Sequence, residues 1–169
     1  MSAKLIVPFV PTPDEVVRRM LTLADIRPEE TVYDLGAGDG RIVAAAARDL
    51  NVKAVGVELH DSRYRLIAER IHLEGLEKLA TVMKANFLNV DLSKADVVTL
   101  YLLGSVNSMI RPKLERELKP GARVVSHDFP IQGWKPIHVE KVWAQNNSHL
   151  IYLYKLPRSL GRAWAERGA

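Results

Sequence analysis

Apolar residues recur three and four positions apart in TPDEVVRRMLTLADI (residues 12–26), placing Val16, Val17, Met20, Leu21 and Ala24 on one face of a predicted helix. Thr12 as N-cap, Pro13 in the first turn and Glu15 complete a T-x-x-E capping box at its start. Short apolar runs then alternate with helical patterns. TVYDL (31–35), KAVGVEL (53–59) and ATVMK (80–84) read as strands, and GRIVAAAARDL (40–50) and DSRYRLIAERIHLEG (61–75) as helices. ADVVTLYLL (95–103) is apolar throughout, as for a strand covered on both faces. A helix interrupted or kinked near Pro112 follows and stops at KPG, and ARVVSHDF (122–129) is the fifth strand. IHVEKVWA and HLIYLYKL are two β-rich runs joined by the turn residues QNNS.

This alternation predicts an α/β fold with helices on both faces of a mostly parallel, seven-stranded sheet. The last strand must be antiparallel, because a short turn cannot connect parallel neighbours. The 169 residues form one domain, residues 1–156, followed by a tail, 157–169. The tail is read as a short helix or a mobile end.

Composition narrows the chemistry. With no cysteine, disulfides, thiol nucleophiles and thiolate metal sites are excluded. His60, His72, His127, His138 and His149 show no short-range pairing such as HExxH, so no metal site is expected. No apolar run is long enough to span a bilayer, and the proline-broken start lacks a signal-peptide pattern, so the expected location is the cytoplasm. The net charge of +4 leaves direct nucleic-acid binding open, although no Lys/Arg block resembles a nucleic-acid arm. No helix face declares an oligomer, and a monomer is expected.

The informative stretch is VYDLGAGDGR (32–41), a strand entering a glycine turn. It lacks the Gly-Lys-Ser/Thr of a triphosphate loop, and Arg41 stands where a dinucleotide fingerprint has its third glycine. Gly36, Gly38 and Gly40 are flanked by Asp34 and Asp39, which would repel a pyrophosphate but favour a cation. S-adenosylmethionine fits: it carries a sulfonium and an ammonium, and its adenosine needs the close backbone approach that glycine permits. Glu58 ends the second strand, where a carboxylate accepts from ribose hydroxyls; the alternative is a capping or surface acid. Asn86 and Phe87 follow the third strand, placed for an adenine edge and face, or else as turn and core.

YDLGAGDGRIV, VGVE, ANF and DVVTLYLL together resemble a class I methyltransferase with a Rossmann-like fold. VPFVPTPDEVVRRML, LKPGARVVSHDF and HLIYLYKL resemble, more specifically, the archaeal protein-lysine methyltransferases of broad specificity. That family is distantly similar to the histone-lysine methyltransferases of this fold and to the mitochondrial methyltransferase of an ATP-synthase subunit lysine. The resemblance spans Pro8 to Leu156. It implies S-adenosylmethionine as cofactor, contacted by Asp34, Gly36, Gly38, Glu58 and Asn86, with Thr12 in a segment, 8–25, folded over it; Gly40, Leu59 and Phe87, beside these positions, are further candidate cofactor residues. It also implies lysine-bearing proteins, chromatin proteins among them, as substrates. Many methyltransferases have a full helix after the fifth strand; here only DFPIQGWKP is present, which opens one flank of the sheet.

Methyl transfer from a sulfonium needs no enzyme nucleophile, only a neutral acceptor held in line. A lysine of pKa about 10.4 is neutral in roughly one molecule in 2500 at pH 7, a handicap of ~4.6 kcal/mol. Tyr101, at the end of the fourth strand, is the candidate wall of the lysine channel, with a core or adenine-side role as alternative. His127 and Asp128 are candidates to relay a proton or orient the lysine, or form a structural pair. Trp134 either lines the entrance or closes the core. Asp14, Glu15, Asp39, Glu58, Asp61 and Asp128 are expected to form an acidic lip that attracts basic substrates. RNA or small-molecule acceptors, and a non-catalytic cofactor-binding subunit, are the competing readings.

Overall fold

A computed structural model of the chain describes residues 9–161. The elements in order are α1 (Asp14–Leu23), β1 (Thr31–Leu35), α2 (Arg41–Leu50), β2 (Lys53–Glu58), α3 (Asp61–Leu73) and β3 (Ala80–Lys84), then β4 (Val97–Leu100), α4 (Gly104–Glu117), β5 (Arg123–His127), β6 (His138–Ala144) and β7 (Asn147–Lys155). The seven strands form one sheet in the order β3-β2-β1-β4-β5-β7-β6. β1 to β5 pair in parallel and β7 runs antiparallel to both neighbours, as the sequence requires. Gln145 and Asn146, both with φ above +50°, make the two-residue turn between β6 and β7.

The two faces are covered unequally. Side chains of α1, α2 and α3 pack with one face of the sheet in a core that includes Met20, Ala46, Ile67 and Ile151. The alanines of α2, Ala44 to Ala47, are all buried, which lets this helix approach β1 and β2 closely. The other face is covered by α4, with Ile110 and Leu114, and by loop residues Val90, Leu92, Ile131 and Trp134. No helix lies between β5 and β6, and Val139 and Trp143 of β6 are exposed, so the flank is open as expected. Helix α4 runs unbroken through Pro112, against the interruption expected there. β4 is shorter than the apolar run, ending at Leu100, which releases Tyr101 from the sheet. Beyond β7 a single 3-10 turn, Arg158–Leu160, belongs to the expected tail; residues 162–169 of that tail, like residues 1–8, lie outside the described residues. No helix among the described residues is long and apolar enough to cross a membrane.

Candidate active site

The strand order reverses between β1 and β4, and a crevice for a ligand opens there beyond the C-terminal strand ends. Asp34 and Thr99 face each other across that boundary, and Thr99 Oγ1 donates to Asp34 Oδ1 at 2.8 Å. Burial pushes the Asp34 carboxyl up to about 7, against the Thr99 hydrogen bond and with a further push from Glu58 and Asp39. A buried acid poised near neutrality beside a second buried carboxylate is an environment that a cationic ligand relieves.

Glu58 is buried at the end of β2 and braces the glycine turn. Its Oε2 accepts from Gly38 N at 2.9 Å and its Oε1 from His60 N at 3.0 Å. Gly36 and Gly38 have φ of +78° and +60°, the left-handed region that glycine adopts without cost, and both line the crevice. Gly40 does not. It precedes α2, and a Cβ there would lie 2.9 Å from Ile67 Cγ2, so this third glycine serves helix packing rather than the ligand. Asp39 is likewise not a ligand group: Arg41 Nη2 lies 2.7 Å from its carboxylate. The carboxylates facing the crevice are Asp34 and Glu58.

Leu59, Asn86 and Phe87 line the same crevice. The Asn86 carbonyl oxygen accepts from Leu88 N at 2.9 Å, so it also caps the 3-10 turn that carries Phe87. Phe87 is partly buried and packs on the core, so the turn and core roles are both present in residues that also line the crevice.

The N-terminal segment crosses the crevice. Phe9, Val10, Pro11 and Thr12 line it, Phe9 lying on Gly38 with the Arg63 guanidinium 5.4 Å from its ring centroid. Arg41 Nη1 donates to the Thr12 carbonyl at 2.9 Å. The capping box does not form. Pro13 is the N-cap and no side chain caps α1; the Thr12 hydroxyl turns inward and meets His127 Nδ1 at 3.2 Å. This burial, at 4% exposure, wins over a solvent-facing cap.

Tyr101 forms the wall between the crevice and β5, its ring centroid 3.8 Å from that of His127. His127 is fully buried and burial holds its imidazole below the ordinary range, with Asp128 opposing this and His149 adding to it. His127 Nε2 lies 2.9 Å from His149 Nδ1, and Asp128 Oδ2 lies 3.2 Å from both. Trp134, by contrast, is core: it packs edge-on against Tyr154, and its indole N–H donates to Glu115 at 2.8 Å. The acidic lip is largely neutralised, because Asp14, Asp39, Glu58 and Asp61 each have an arginine within 3.5 Å.

Sequence reading missed Phe9, Arg41, Arg63 and His149. Arg41 directly follows the glycine turn and was legible as a group able to reach back over it. His149 carried no local signal, since only the β5–β7 pairing, which sets His127 opposite Ile151, brings it to this site.

Comparison with known proteins agrees with this geometry. A family model described as the ANTKMT methyltransferase domain matches residues 34–138. The chain is 55% identical to a protein-lysine N-methyltransferase of Saccharolobus islandicus over 149 residues, 88% of this chain and 92% of the relative. It is 35% identical to the adenine nucleotide translocase lysine N-methyltransferase of Mus musculus, over 83% of this chain and 63% of that one. Among solved structures, an RNA methyltransferase from Salinibacter ruber in complex with S-adenosyl-L-homocysteine superposes with a TM-score of 0.83 at 39% identity, covering 90% of this chain and 97% of that one.

Proposed function

Because the chain belongs to the ANTKMT methyltransferase domain family, we propose that it transfers methyl groups from S-adenosylmethionine to lysine ε-amines of proteins. The observation that carries this reading is the 55% identity, over nearly the whole length, to a protein-lysine N-methyltransferase. The side chains fit the cofactor. Asp34 suits its positive charge, Glu58 is assigned to the ribose hydroxyls, and the left-handed Gly36 and Gly38 leave the turn without side chains where a nucleoside approaches. Leu59, Asn86 and Phe87 are assigned to the adenosine side, and Thr12 and its neighbours to the cover.

The cofactor supplies a methyl group on an already activated sulfonium. The chain's own residues align the acceptor and exclude water. Tyr101 forms the channel wall, and its own ionisation is pushed up by burial and by Asp128, so it stays a neutral phenol. His127, kept uncharged by burial, backs the Tyr101 wall with its ring centroid 3.8 Å away, and so holds the channel that orients the lysine. Desolvation in the channel and the positive sulfonium both lower the lysine pKa, which reduces the ~4.6 kcal/mol handicap of a charged lysine at pH 7 and lets its proton leave to solvent.

The open flank beside β6, with no lid element over the acceptor side among the described residues, supports a broad range of protein substrates, chromatin proteins included. On the same reading the protein works as a monomer in the cytoplasm. A second acceptor, RNA, is favoured by the similarity to the Salinibacter RNA methyltransferase and by the net charge of +4. Intact-mass spectrometry after incubation with S-adenosylmethionine and either a lysine-rich protein or transfer RNA separates the two. Methyl-sized increments on protein lysines support the proposal, whereas increments on RNA alone overturn it.

A further inference from the structure

His127 Nε2, His149 Nδ1 and Asp128 Oδ2 form a triangle with sides of 2.9, 3.2 and 3.2 Å at the end of β5. We propose that this triangle binds a divalent transition-metal ion of the zinc type through two imidazole nitrogens and one carboxylate oxygen. The spacing suits the ion. Metal–ligand bonds of about 2.0–2.2 Å put neighbouring ligand atoms about 2.9–3.4 Å apart, between octahedral and tetrahedral angles.

Counting protons favours the same conclusion. In any neutral arrangement that avoids two N–H groups facing each other, at most one ring proton lies inside the triangle. One proton cannot satisfy three short contacts. At least one side is left with lone pair against lone pair, and the Asp128 carboxylate adds its charge. A cation at the centre satisfies all three atoms together.

The surroundings orient the ligands as metal sites require. Thr12 Oγ1 lies 3.2 Å from His127 Nδ1, and accepting that N–H leaves the Nε2 lone pair facing the triangle. Leu150 N donates to Asp128 Oδ1 at 2.8 Å, leaving Oδ2 for the ion. Asp128 holds a left-handed backbone, φ +59°, a strained state that aims its carboxylate at the two rings. Both histidines are buried and Asp128 is half-buried, so the site is shielded but reachable. Two imidazoles with one carboxylate select zinc, cobalt, nickel or copper over magnesium or calcium. Three protein ligands leave a coordination position for water. The expectation of no metal rested on short-range histidine spacing, which is blind to a pairing made by the sheet register.

Binding of the ion does not depend on which acceptor is methylated, so it is tested without methyl transfer. The full chain, with any affinity tag removed and metal stripped by chelation, is titrated with Zn²⁺ by calorimetry and with Co²⁺ by visible absorption. One ion per chain is expected, with a rise in the thermal unfolding midpoint. His149→Ala is expected to weaken binding at least tenfold, about the loss that even an outer-shell partner causes. His72→Ala, at the exposed pair with Glu77, should leave it unchanged. If His149→Ala does not fold, Asp128→Asn, which keeps the side-chain shape, takes its place. Wild-type uptake no tighter than that of the variant, or an equal loss in His72→Ala, overturns the proposal.

Discussion

Thr12 and His127, 115 positions apart in the chain, meet through a 3.2 Å contact between a hydroxyl and an imidazole nitrogen. The contact joins the segment that crosses the crevice to the end of β5. Covering the crevice and setting the imidazole tautomer are therefore one structural event. Thr12→Val keeps the shape and removes the hydroxyl. A net hydrogen bond of about 1 kcal/mol predicts roughly fivefold slower transfer with little change in the thermal midpoint. Thr12→Ser should restore the rate. Full turnover by the valine variant would show that the contact is incidental.

Asp34 predicts a pH dependence of cofactor binding. Its carboxyl is raised to about 7, so the folded chain without ligand holds a proton there that the unfolded chain releases near 4. The sign follows: the stability this group contributes is present at low pH and is lost as pH rises through about 7. A cationic ligand requires the ionised form. Affinity for S-adenosylmethionine should therefore fall as pH drops below 7, approaching tenfold per unit, and level off above pH 8. Asp34→Asn should bind weakly and without this slope. Calorimetry at pH 6, 7 and 8 decides; a flat wild-type profile would remove Asp34 from the role.

The glycines of the turn are predicted to differ. A methyl group added at Gly40 would press on buried Ile67, an overpacking cost of about 1–3 kcal/mol, so Gly40→Ala should lower the unfolding midpoint by several degrees. Gly38→Ala meets Phe9, which is half-exposed and can move aside. Its damage should fall on cofactor affinity, by at least about tenfold, with a smaller stability loss from the left-handed backbone. Equal effects of the two variants on both measurements would contradict the separation of roles.

Alternating periods made the sheet, its helices and the glycine turn legible, because each hydrophobic pattern has a single way to bury itself. Asp34, Glu58 and Tyr101 were found because strand C-terminal ends in such sheets converge on one edge. What escaped depended on competition between partners. Thr12 carries a capping box in sequence, yet the hydroxyl is buried on His127. Gly40 continues a motif in sequence, yet faces Ile67. Trp134 was undecided until its ring met Tyr154 and its N–H met Glu115. His149 entered only through strand register.

Tyr101 distinguishes a wall from a proton carrier. The ring stands between the crevice and His127, with Phe129 at 6.3 Å behind it, and burial keeps its phenol protonated. A group that only shapes the channel acts through its ring, so Tyr101→Phe should retain transfer within about threefold, less than a lost hydrogen bond to a charged group costs. Tyr101→Ala opens the channel to water and frees the His127 ring. Transfer should then fall by at least tenfold, while cofactor affinity, set mainly by Asp34, Glu58 and the glycine turn, changes less. Single-turnover rates and calorimetric affinities measured on the two variants separate these effects. A phenylalanine variant as impaired as the alanine one would mean that the hydroxyl, and not the ring, carries the function.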